Sequence, residues 1–174
     1  MRARLRSQDG FGLIELLMAM VMLNIGILAV VAAYQTGMFA LNRASKISTA
    51  STLADQQMEL YRALTYGAIA LDSSALASVD NTYACDSALG SSCPNSTSGE
   101  TTATCSSPHP NECTPSRTVT GADRKPYRVD TYITSATPGG GRPLKVVTIV
   151  VRDGSKLTTR PLARLSSTFD QSTG

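Results

Sequence analysis

A chain of 174 residues holds one domain of ordinary size, and with no Trp, 3 Phe and 6 Tyr it has few large side chains to build a wide apolar interior. The formal charge of +3 is too small to mark a nucleic-acid partner by itself. One histidine, and no phosphate loop, dinucleotide fingerprint or HExxH pair, give no footing for enzyme chemistry, so neither catalysis nor a cofactor nor a metal is expected.

The chain opens with a hydrophilic stretch, residues 1–10, carrying Arg2, Arg4 and Arg6. From Phe11 an apolar run reaches Ala33, and beyond Leu16 only Asn24 and Gly26 interrupt it. That length meets the roughly 20 residues needed to cross a bilayer, and the arginines ahead of it hold that end in the cytoplasm. Glu15 is the exception in this run, because an unpaired carboxylate there costs several kcal/mol. A cut after Gly10 would free an α-amino group on Phe11, four residues away, and so supply a cation from the same or a neighbouring subunit. An acid in the first turn is also favoured by the helix dipole. Val31-Ala32-Ala33 offers the small residues of an ordinary secretory cleavage site, but Glu15 and the length of the run argue against that use.

Gly10-Phe11-Gly12-Leu13-Ile14-Glu15-Leu16-Leu17 resembles the prepilin processing motif of type IV pilins and type II secretion pseudopilins. The resemblance implies that a prepilin peptidase cuts between Gly10 and Phe11 and N-methylates Phe11. It further implies that Glu15 registers each subunit against the terminal amine of its neighbour. Asp9 departs from the basic or neutral residue more usual before the cut. The run Ile25 to Gln35 is similar to one that ends in a proline-tyrosine pair in major pilins, but Ala33 stands in place of the proline. With Asn24-Ile25-Gly26-Ile27-Leu28, that departure looks more like minor pilins of the PilV type or the I-type pseudopilin. The implied partners are other pilin subunits, the peptidase and methyltransferase, an inner-membrane assembly platform, and membrane lipid before assembly. The implied location is the bacterial inner membrane, crossed once, and then an extracellular filament or periplasmic pseudopilus.

Beyond Tyr34, Ile47, Ala50, Ala54, Met58, Tyr61 and Leu64 fall at helical spacing, which predicts an amphipathic helix over 34–66 with Gly67 as its stop. Residues 67–115 read as an irregular loop holding Cys85, Cys93, Cys105 and Cys113, whose setting suggests disulfides in an oxidising compartment rather than zinc knuckles. Three pairings are open, with Cys85–Cys93 and Cys105–Cys113 favoured. Asn95-Ser96-Thr97 is a glycosylation tripeptide, and His109 between two prolines reads as a loop residue.

Residues 116–174 read as antiparallel sheet. Tyr127, Val129, Thr131 and Ile133 alternate with Arg128, Asp130, Tyr132 and Thr134, and Pro138 to Gly141 makes a turn. Leu144 to Val151 suits a central strand, Asp153-Gly154 signals a hairpin, and strands are expected around 156–160 and 162–169, divided at Pro161. The expected class is α+β, a long N-terminal helix on a three- or four-stranded antiparallel sheet with a disulfide-held loop.

Charge is unevenly placed. Residues 72–115 carry five acids and no Lys or Arg, whereas the strands carry Arg128, Arg142, Lys145, Arg152, Lys156 and Arg160. These basic strands could meet DNA or another partner, or they could meet the acidic loop of the same or an adjacent subunit. A structural filament subunit is the leading reading, with a type II secretion pseudopilin, a DNA- or surface-binding subunit and a plain single-pass membrane protein as alternatives.

Overall fold

A computed structural model describes residues 12–105 and 110–171, so Gly10, Phe11 and His109 lie outside the described residues. The chain divides into two units, Met1–Ala44 and Ser45–Gly174, each taken by itself below. Helix α1, Leu13–Arg62, runs without a break through the position of Ala33, as expected of a sequence with no proline there.

In the second unit the C-terminal part of α1 buries Ala50, Ala54, Met58 and Tyr61, four of the residues whose spacing predicts the apolar stripe. They share one core with Tyr127, Val129, Ile133, Val147, Ile149 and Val151. Burial of each large side chain here is worth about 1.5–3 kcal/mol. Gln57 lies in the same buried row, and its amide is used at both ends. Its Nε2 donates to the Asn111 carbonyl at 3.1 Å, and its Oε1 accepts from Arg117 at 2.7 Å. A polar side chain is tolerated there because both ends are paired.

Four strands, β3 (Ser116–Thr120), β4 (Pro126–Ala136), β5 (Leu144–Asp153) and β6 (Ala163–Asp170), form an antiparallel sheet in that order. The register pairs Val129 with Val151, Thr131 with Ile149 and Ile133 with Val147, which places one apolar set on the face that shares the helix core. The register also pairs Arg128 with Arg152, on the opposite face. Central β5 is buried on both sides from Ile149 to Arg152. The turn after β4 is the predicted glycine run, with Gly139 and Gly140 at φ of 59° and 72°.

The segment before the sheet is more structured than an irregular loop. Strands β1 (Leu71–Asp72) and β2 (Thr102–Ala103) pair in parallel, and one-turn helices α2 (Ser73–Leu76) and α3 (Asn81–Ala84) lie between them. Asp72 and Asp80 act as their N-caps. The Asp72 carboxylate accepts from the backbone of Ser74, Ala75 and Cys105, and the Asp80 carboxylate accepts from Tyr83. The disulfides join Cys85 to Cys93 and Cys105 to Cys113.

Two predicted boundaries move. Helix α1 ends at Arg62 rather than Tyr66, and Gly67 falls in a 3-10 turn. The ammonium of Lys145 takes the carbonyls of Tyr66 at 2.7 Å and Ile69 at 2.8 Å, so this stretch is held to the sheet instead of continuing the helix. No strand forms at 156–160. Ser155 N–H turns back to the Asp153 carboxylate, Lys156 N–H to the Asp153 carbonyl and Thr159 N–H to the Lys156 carbonyl, so successive turns consume the groups a ladder would need.

The hairpin between β3 and β4 sits tight on α1. A Cβ placed on Gly121 would come within 2.6 Å of the Tyr127 ring and 2.7 Å of the Thr49 methyl. Gly121→Ala is therefore expected to destabilise the unit by about 1–3 kcal/mol in denaturant titration, whereas Gly99→Ala, with no heavy atom nearby, leaves the midpoint within about 0.5 kcal/mol.

Candidate functional site

In the first unit, α1 presents apolar side chains to the outside all around its axis. Leu13, Ile14, Leu23, Leu28, Val30 and Phe39 are each more than 60% exposed. The helix is long and apolar enough to cross a membrane. Polar side chains in it turn back on their own backbone: Asn24 Nδ2 donates to the Met20 carbonyl, Thr36 Oγ1 to Ala32 and Asn42 Nδ2 to Met38, each at 3.0 Å. Such i to i−4 bonds satisfy donors that neither lipid nor an apolar neighbour could. Glu15 lies exposed in the first turn, where the Glu15 and Leu16 N–H groups both donate to the Gly12 carbonyl. Its carboxylate thus stands at the positive end of the helix dipole, four residues along the sequence from Phe11.

In the second unit the basic residues of the strands do not form one outer surface. Arg128 donates through Nε to Asp130 Oδ1 at 2.8 Å, and its other two nitrogens grip the Asp80 carboxylate at 2.5 and 2.7 Å. Arg152 donates to Asp130 Oδ2 at 2.5 Å and to the second loop acid, Asp86. Arg164 closes the row on Asp86 at 2.6 Å. Aspartates and arginines alternate across the sheet, from loop to strand and back. The polar row of β4 beginning at Arg128 is therefore covered by the acidic loop of the same chain rather than facing solvent, and Arg128 and Arg152 are buried. Lys145 is also turned inward, onto backbone carbonyls. Of the six basic residues expected on strands, Arg142, Lys156 and Arg160 lie outside the strands, in the connections, and are exposed.

The acids respond accordingly. The Arg128 guanidinium holds Asp80 at about 2, below the ordinary carboxylate range. Burial pushes Asp86 up, but the Ala88 N–H with Arg164 and Arg152 outweighs it and the group ends below the usual range. The Lys145 ammonium is lowered by burial. Asn95 of the glycosylation tripeptide is half-buried and spends its Nδ2 on the Asp86 carbonyl at 3.2 Å, so that nitrogen already has a structural use. Two further members of the loop contact, Tyr83 and Glu100, carry no sequence signal beyond being an aromatic and an acid in a polar stretch.

Residues 5–31 match the family described as the prokaryotic N-terminal methylation motif. The match takes in the last six residues of the hydrophilic start, with Gly10, then Phe11, Glu15 and most of the apolar run. No curated protein and no solved structure matches the chain. A motif of this prepilin type supports a type IV pilin-like protein, processed by a prepilin peptidase and assembled with other pilins.

Proposed function

We propose that the chain is a prepilin, cut after Gly10 and N-methylated on Phe11, that serves as a minor subunit of a type IV pilus-like filament. Residues 11–33 hold it in the inner membrane, with the N-terminus cytoplasmic, and later pack with the equivalent helices of other subunits. The helix continues to Arg62, and residues 67–174 supply the loop and the sheet. The observation that carries this reading is the continuity of the methylation motif with a helix whose apolar side chains are exposed on every side. Such a helix needs lipid or other apolar helices around it, and a filament core exchanges the first for the second. The alanine at position 33 and the unbroken helix favour a minor over a major subunit.

Mass spectrometry of the N-terminal peptide from the membrane fraction tests this. The expected peptide begins at Phe11 and is one methylene heavier than its unmodified sequence, and loss of the peptidase restores a chain beginning at Met1. A mature chain beginning at Tyr34 would replace the pilin reading with an ordinary secreted protein.

A further inference from the structure

Glu100, in the cysteine-bearing segment between Cys93 and Cys105, is buried against β4. It pairs with Thr134, and the next residue extends the contact, with Thr101 N–H donating to the Ile133 carbonyl at 2.7 Å. Its Oε1 lies 2.7 Å from the Tyr83 hydroxyl, and that hydroxyl lies 2.6 Å from the Thr131 carbonyl. Oε1 also accepts from the Ile133 N–H at 3.4 Å, a long contact, and Oε2 is buried with no hydrogen-bond partner.

The protons in this row can be counted. A carbonyl cannot donate, so the short Tyr83 to Thr131 contact takes the single phenolic proton. The equally short contact between Tyr83 and Glu100 then lacks a hydrogen unless Glu100 brings it. A carboxylate would leave two lone-pair oxygens face to face at 2.7 Å and a second charged oxygen buried without a partner, each of which is costly. Protonated Glu100 satisfies the row in one direction, from the acid O–H to Tyr83 and from Tyr83 to Thr131. The surroundings agree. Glu100 itself meets Tyr83 from α3 and the Ile133 N–H of β4, while Asp130 and Tyr132 of β4 act on Tyr83, and Arg152 of β5, beyond Tyr132, is spent on Asp130 and Asp86. Burial pushes the Glu100 carboxyl up to about 7, and it keeps Tyr83 neutral by raising its phenol.

We infer that Glu100 is held as a neutral carboxylic acid donating to Tyr83, and that this proton latches the cysteine-bearing loop onto the sheet, so that the seating of the loop follows the pH outside the cell membrane. Tyr83 also stacks on Tyr132, with ring centroids 4.3 Å apart, and sits between the network acids Asp80 and Asp86 in sequence. Losing the latch therefore loosens the element that carries both acids. The direction of the pH effect follows from linkage. A carboxyl raised in the folded state contributes in full below its unfolded value near 4.5, and that contribution is lost as pH rises to about 7.

Two measurements on the full chain in detergent test the latch. Infrared spectra of the wild type at pH 6 are expected to contain the carbonyl band of a buried protonated carboxyl, which Glu100→Gln removes. The folding constant of the wild type, from urea titration, is expected to fall by about two orders of magnitude from pH 4.5 to 8 relative to Glu100→Gln, whose amide donates to Tyr83 at every pH. Tyr83→Phe, which keeps the ring but removes the acceptor, is expected to shift the band even if Glu100→Gln does not fold. Absence of the band in the wild type, a band that neither variant alters, or equal pH dependence in wild type and Glu100→Gln would each overturn the inference.

Discussion

Asp130→Ala is expected to destabilise the second unit by about 3–5 kcal/mol, measured by urea titration of the full chain in detergent at neutral pH. Asp130 is fully buried and accepts from two guanidiniums, Arg128 through Oδ1 and Arg152 through Oδ2. Removing it leaves those two cations on neighbouring strands, paired in register, with no anion between them. Each keeps one loop acid, Asp80 or Asp86, but neither acid can take the place between the strands. Asp130→Asn is expected to be nearly as costly, because its amide turns a donor towards donors. Arg164→Ala is the comparison. Its side chain is 37% exposed and its partner Asp86 retains Arg152, so a loss of at most about 1 kcal/mol is expected. Equal effects from Asp130→Ala and Arg164→Ala would mean that the row is ordinary surface pairing. Acid should act on the loop acids in the same sense. Asp80 and Asp86 are held below the usual carboxylate range, so the stability they lend is present above their unfolded value and is lost as pH falls through their folded ones. With Glu100 acting in the opposite direction, stability is expected to peak in mild acid, between these two windows.

The parts of this molecule that were legible in its sequence are those in which one property repeats along the chain. Helical spacing from Ala50 to Tyr61 gave the buried stripe, and β-branched density from Leu144 to Val151 gave the central strand. The α+β class follows from those two patterns. Local rules failed where a distant group decides. Asp153-Gly154 and the residues after it look like a hairpin and a strand, yet the Asp153 carboxylate and carbonyl capture the N–H groups that follow, and the chain rejoins the ladder only when Leu162 N–H reaches the Val151 carbonyl at 2.8 Å. Alternation in β4 suggests a solvated polar face, because period two separates the two faces without saying what covers either. The opposed charges of loop and strands did hint at the cover. Choosing between the same chain, a neighbour and DNA needs the tertiary contact, in which Asp80 and Asp86 reach Arg128 and Arg152. Glu100 was the least legible residue, since its protonation is decided by a tyrosine 17 residues away and a carbonyl on β4.

Glu15→Ala is expected to lower the assembled fraction of the subunit at least tenfold while leaving the cut after Gly10 in place. The reason lies in how little else could set register. From Leu16 to Ala33 the helix is apolar around its whole circumference, so two such helices packed side by side can slide by a turn and bury nearly the same surface. Asn24 adds little discrimination, because its amide already donates to its own helix at Met20. A single carboxylate in the first turn changes that, since a slipped register leaves it without a cation in apolar surroundings, at a cost of several kcal/mol. A tenfold change in occupancy requires only about 1.4 kcal/mol of that difference. The proposed cation is the terminal amine of Phe11 on a neighbour, which exists only after processing, so leader removal and assembly become linked through one charge pair. Glu15→Gln keeps the size of the side chain and removes the charge, and is expected to behave like Glu15→Ala. Quantifying subunit in the filament fraction against processed subunit in the membrane checks both variants. Normal incorporation of either would remove the register role, and an accumulated uncut precursor would assign Glu15 to recognition by the peptidase instead.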